Sequence, residues 1–240
     1  MITVRIFRSA ISVHLSECLE LLRSTPPEPG YLLLFNGEIT EMTEEMVELK
    51  RKFLDLRLKG SDELWGRFKF ERGKIVYDIE GNSFPVKYVR ETQFVFIRKE
   101  DYPQLFLLVT GKKADASLTA RYIGKLIGRG TQNPIRKVYI TGEMIRKFLS
   151  MNPYRPKYSL MPTLVPGWRT LGISGENIER PPVYKTLEQL TSDVAAIAVY
   201  LFEYSWTVRI NKDGTVVCFQ NPPIESFVSF IKTKILPLLY

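Results

Sequence analysis

Six prolines fall between Pro153 and Pro182, in the stretch NPYRPKYSLMPTLVPGWRTLGISGENIERPPV (152–183). Proline fixes φ near about −65° and offers no amide donor, so such a stretch cannot be helical and fits poorly inside a regular ladder. It is expected to be extended and irregular. It divides the chain into an α+β body over residues 1–150, a proline-rich segment over 151–184, and a helix–hairpin–helix unit over 185–240 packed on the same body. The segment also carries Tyr154, Arg155, Lys157, Tyr158, Trp168 and Arg169. It reads either as a belt packed through Leu160, Leu164 and Trp168 or as a binding loop, because long loops in compact chains are commonly functional.

Hydrophobic periodicity organises the rest. TVRIF (3–7) alternates like a strand. Ile11, Leu15, Cys18 and Leu22 line one face of a helix over 10–23, and YLLLF (31–35) reads as a buried strand. Thr43 followed by Glu44 and Glu45 resembles a helix start, and Met46, Leu49, Phe53 and Leu56 complete an apolar stripe that Gly60 ends. A hairpin is expected around Arg72-Gly73, with further strands over 86–90, 93–98 and 105–109. Residues 114–128 read as a helix with Leu118, Tyr122 and Leu126 inward. A short strand over 138–141 and a short helix over 143–149 follow. Beyond the prolines come a helix through Leu187, Leu190, Val194, Ile197 and Leu201, a hairpin turning at Asn211–Gly214, and a final helix over 224–239. The fold class is α+β: a mixed, mainly antiparallel, curved sheet backed by helices, with the option of two pseudo-similar halves.

Charge is unevenly placed. The whole chain has 34 basic and 26 acidic residues, a net of +8. Residues 111–170 carry 12 basic side chains and two acidic ones, Asp115 and Glu143, while the segments on either side are each close to neutral. Within them, RYIGKLIGRGTQNPIRK (121–137) holds five cations and no carboxylate. Like charges in a compact fold repel unless a partner neutralises them. Nucleic acid, DNA or RNA, is the expected partner, and an acidic protein docked by a scaffold or adaptor is the alternative. Lys112, Lys113, Arg121, Lys125, Arg129, Arg136 and Lys137 are expected to contact phosphates, Arg146, Lys147, Arg155 and Lys157 to extend the path, and Tyr154, Tyr158 and Trp168 to stack on unpaired bases or pack on sugars.

Several chemistries find no support. His14 is the single histidine, so two-histidine metal sites are excluded. Cys18 and Cys218 lack CxxC spacing and read as buried thiols in a reducing cytoplasm. No apolar run reaches the roughly 20 residues of a membrane span, and MITVRIFRS lacks the pattern of a secretory leader. The balance of Lys, Arg, Glu, Ile and Tyr leans toward a heat-adapted source. TGKKADAS (110–117) joins a strand to a helix but lacks the second glycine and the GK[ST] ending of a nucleotide loop, although its helix start suits a backbone phosphate. No cofactor or catalytic residue is expected. Asp62, Glu63, Asp78 and Glu80 form the one acidic group near the strands that a magnesium nuclease would use.

QLFLLVTGKKADASLTARYIGKLIG (104–128) and TVRINKDGTVVCFQNPPIESFVSFIKTKILPLL (207–239) share a plan of strand, turn, strand and helix. The first resembles part of one repeat of the TATA-box-binding protein fold. Val109, Thr110 and Gly111 stand where that family's second hairpin strand ends, and Ala120, Arg121 and Tyr122 stand in the following helix. Lys212–Val217 is similar to the family's hairpin. The resemblance spans about a quarter of the chain and implies a curved sheet backed by helices.

Overall fold

A computed structural model describes residues 1–25, 27, 29–34, 45–99, 102, 104–129, 133–151, 154–162, 170–174 and 195–239, with backbone alone for 30–34, 45–47, 83, 154–162 and 170–173. The fold is α+β with mainly antiparallel sheet. The chain forms two compact units: a central unit, Ser9–Ile135, and a terminal unit, Met1–Arg8 with Arg136–Tyr240.

The central unit contains helix α1 (Leu15–Ser24), strands β2 (Gly30–Leu34), β3 (Glu45–Leu49), β4 (Arg51–Lys59), β5 (Glu63–Tyr77), β6 (Ser83–Ile97) and β7 (Phe106–Thr110), and helix α2 (Lys113–Ile127). Its sheet runs β4–β5–β6–β7, every neighbour antiparallel, and β2 pairs with β3 separately. Phe68, Phe70, Phe94, Phe96 and Phe106 are fully buried. Each such side chain contributes about 1.5–3 kcal/mol over its exposed state. Cys18 lies on the buried face of α1, where burial first and the charge of Glu17 second push its thiol from 9.0 up to about 12. His14 precedes α1, and its Nδ1 lies 3.2 Å from the Arg98 guanidinium.

The terminal unit contains β1 (Ile2–Ser9, its last residue in the central unit), β8 (Ile135–Lys137, opening at the boundary), α3 (Gly142–Met151), β9 (Tyr154–Pro162), β10 (Thr170–Ser174), β11 (Ala196–Leu201), β12 (Trp206–Asn211), β13 (Thr215–Cys218) and α4 (Ile224–Phe230). Its strands run β10–β9–β11–β12–β13–β1, antiparallel throughout, with β8 beside β1. The hairpin expected at Asn211–Gly214 is present. Gly214 has φ +74°, and a Cβ there would come within 2.5 Å of the Val138 carbonyl oxygen. Both conditions require glycine. After α4 the chain widens into one π turn (Ile231–Ile235) and tightens at Leu236–Leu239, so the expected single helix ends in three geometries; Phe227, Phe230, Ile231 and Ile235 are inward as expected. Both cysteines are free and buried.

The structure corrects several expectations. Residues 45–59 are two strands, not a helix. Phe53 and Leu54 are half-buried against β5, and the register shifts between Leu54 and Arg57, where Asp55 takes φ +53°. A bulge of this kind disturbs period-two alternation and leaves a sequence that passes for helical. Arg72-Gly73 is no turn: β5 runs straight through it, and the chain reverses at Asp78–Asn82, where the Asp78 carboxylate accepts the Glu80 and Asn82 amides. The strands expected over 86–90 and 93–98 are a single strand, β6, which ends at Ile97. Helix α1 begins at Leu15, which leaves Ile11 exposed. Residues 138–141 are not a strand; β8 precedes them. Within the proline-rich segment, the described residues 154–162 and 170–174 are strands β9 and β10 rather than irregular chain. Pro156 sits opposite Val199, where the register of β9 against β11 slips past Lys157, and Pro162 closes the strand. A bulge and a strand end are where a sheet tolerates a residue without an amide donor. Ile197 and Leu201 lie in strand β11, not in a helix; Leu187, Leu190 and Val194 lie outside the described residues, as does Trp168.

Candidate nucleic-acid interface

Helix α2 owes its exposed side to how its other side is held. Ala116, Thr119, Ala120, Ile123 and Ile127 are buried. This stripe is shifted from the expected Leu118–Tyr122–Leu126, which are half-buried. Small residues let the helix lie close to the sheet. The Thr119 and Thr92 hydroxyls share a 2.8 Å hydrogen bond across that contact. Gly124 permits the approach of Asn133, whose Oδ1 would stand 1.8 Å from any Cβ at that position. Asp115, the one carboxylate on α2, faces inward and meets Arg72 at 2.9 Å. Tyr122 lies between the Phe68 ring, 5.8 Å away, and the Arg51 guanidinium, 3.9 Å over its face and hydrogen-bonded to its hydroxyl.

What remains outward is cationic. Lys113, Arg121 and Lys125 are exposed and fall at multiples of four residues along one ridge of α2. Four residues rise about 6 Å, so the ridge presents charge at regular intervals. Lys112 is exposed at the helix start, which has no side-chain cap. Arg129 follows the helix with φ +49° and pairs with Glu17 at 3.2 Å. Both partners are well exposed, so the pair contributes little.

The terminal unit carries the other cations. Arg136 and Lys137 on β8 and Arg146 and Lys147 on α3 are exposed. Tyr139 lies between β8 and α3 in the chain, 66% exposed and flanked by buried Val138 and Ile140. Sequence reasoning missed it. The signal was the alternation Lys137, Val138, Tyr139, Ile140, which puts the lysine and the tyrosine on one side of an extended chain. Tyr154, Arg155 and Tyr158 occupy β9 opposite Leu201, Tyr200 and Ala198, and Lys157 is the bulged residue.

The acidic group of a magnesium nuclease does not assemble. Asp62 and Glu63 stand at the start of β5 and Asp78 and Glu80 beyond its end. At about 3.3 Å per residue the two pairs lie roughly 50 Å apart along the strand. Glu63 is buried and accepts the Trp65 indole N–H at 2.8 Å.

No helix among the described residues is long and apolar enough to cross a membrane. No protein-family model matches the chain, and no curated protein sequence matches it.

Proposed function

We propose that this protein binds nucleic acid, without enzymatic chemistry, through the cations of residues 111–170. One observation carries the reading. Lys112, Lys113, Arg121, Lys125, Arg129, Arg136, Lys137, Arg146 and Lys147 are all exposed, and six of them (Lys112, Arg121, Arg136, Lys137, Arg146 and Lys147) meet no carboxylate among the described residues. Repulsion left unrelieved within the fold is relieved by an external polyanion. Phosphate contacts of this kind give affinity and register without reading bases.

The order hairpin then helix recurs at β6–β7–α2 and β12–β13–α4. Residues 104–128, on which the resemblance to a TATA-box-binding repeat rests, hold one strand and one helix, β7 and α2, rather than two strands and a helix. The two free thiols support a reducing compartment such as the cytoplasm.

A binding panel tests the reading: single- and double-stranded DNA and RNA at two salt concentrations. Log K is expected to fall with log salt at a slope of about −0.9 per phosphate on duplex DNA and about −0.7 on single strands. Absence of binding to all four at low salt overturns it. Retained binding that acidic protein, but not oligonucleotide, displaces identifies a scaffold instead.

A further inference from the structure

The β5–β6 hairpin outruns its neighbours. β4 pairs with β5 over Glu63–Phe70, and β7 pairs with β6 over Phe94–Ile97. Beyond those limits the two strands continue as a ribbon in the register Arg72↔Tyr88, Lys74↔Val86 and Val76↔Phe84.

Directly opposed residues share a face, as do alternate residues along each strand. The face that α2 covers is marked by Phe68, which stacks on Tyr122, by Thr92, which bonds Thr119, and by Arg72, which meets Asp115. Continued outward by twos, that face carries Lys74, Val76, Phe84, Val86, Tyr88 and Arg90. α2 stops covering it at its own first turn, so Phe84 is 51% exposed and Val76 and Val86 are also exposed. The Arg90 guanidinium lies 5.1 Å over the Tyr88 ring. Among the described residues, no carboxylate shares the uncovered face over 72–76 and 84–90, and Asp78, the next position by twos, is engaged by the Glu80 and Asn82 amides. Glu71 and Glu91 alternate onto the other side, where Glu71 accepts the Lys50 amide and Glu91 meets Arg67 at 2.9 Å. Asp78 and Glu80 lie in the terminal turn.

We propose that this face of the arm is a stacking platform for single-stranded nucleic acid. The proposal rests on the nucleic-acid reading above and names the form of ligand. Lys74, Arg90 and Lys112 at the start of α2 supply cations for the backbone, while Phe84 and Tyr88 supply rings. Those rings, Phe84 exposed and Tyr88 half-buried, stand four residues apart on β6, about 13 Å, and accessible rings on a sheet face engage bases that are unpaired. A duplex hides the faces of its bases and offers this surface phosphates alone. A purely apolar protein partner leaves the arm's cations without a counter-charge.

The test is fluorescence anisotropy on labelled oligothymidylate, an abasic strand of equal length and a duplex, with Phe84→Ala, Tyr88→Ala and Phe84→Tyr. Phe84→Ala and Tyr88→Ala are each expected to weaken oligothymidylate binding about tenfold while leaving the abasic strand and the duplex within about twofold. Phe84→Tyr retains wild-type affinity. Thermal unfolding close to wild type shows that the loss is not misfolding, because Phe84 is solvent-facing. Unchanged oligothymidylate binding in both alanine variants overturns the platform and leaves the nucleic-acid reading standing. Failure of the wild type to bind any strand overturns both. An altered sedimentation coefficient in Phe84→Ala with unaltered strand binding assigns the face to a protein contact, which also overturns the proposal.

Discussion

Arg67 and Arg72 on β5 and Arg51 on β4 are each engaged: Arg67 by Asp55 and Glu91, Arg72 by Asp115, Arg51 by Tyr122. Arg121 and Lys125, on the outer ridge of the helix that Arg51 and Arg72 help to seat, are exposed, and Arg121 meets no carboxylate among the described residues. The two sets are chemically alike, and the contrast comes from what each faces. These three strand cations stand opposite side chains that supply a carboxylate or a ring. Arg121 meets no carboxylate among the described residues, and the one carboxylate of α2 turns inward. Net charge alone does not separate the two situations; pairing does.

The largest effect expected from breaking that contrast is on binding. Arg121→Ala/Lys125→Ala/Arg129→Ala should lower oligonucleotide affinity by about 100-fold at low salt and reduce the magnitude of the duplex salt slope by about 2.7, while urea unfolding stays within about 1 kcal/mol of wild type. Loss of fold with loss of binding would place these side chains among the structural cations. The next effect is on stability. Arg72→Ala leaves the Asp115 carboxylate partly buried and unpaired, and should destabilise the central unit by about 2 kcal/mol, read from urea midpoints. Asp115→Asn in the same background should recover part of that loss. The smallest effect sharpens the boundary between the sets. Arg129→Ala removes an exposed pair with Glu17 and should change stability by no more than about 0.5 kcal/mol, yet still weaken binding.

Much of the fold was legible where local chemistry and tertiary context agree. α2, α3, β7 and the β12–β13 hairpin follow from periodicity and from Gly214. The failures share a cause: a sheet partner remote in sequence decides the local structure. Residues 45–59 have a helical stripe and good starting residues, but β5 offers a ladder, and the bulge at Asp55 reconciles the pattern with it. Pro156 would end an isolated strand; beside β11 it sits at a slip in register. Gly73 looks like a turn residue and lies mid-strand because Asp78, five residues on, organises the reversal. For the candidate interface, sequence identified which residues are cationic. It did not show that Asp115 turns inward, nor that Tyr139 and Phe84 are exposed, since both depend on which face the sheet presents.

Titration of wild-type protein against single- and double-stranded oligonucleotides across a range of salt concentrations tests the central claim most directly. The account predicts binding whose logarithm falls linearly with log salt, with a slope that diminishes when the α2 ridge is neutralised. Salt-independent binding, or a slope unchanged in Arg121→Ala/Lys125→Ala/Arg129→Ala, would contradict it.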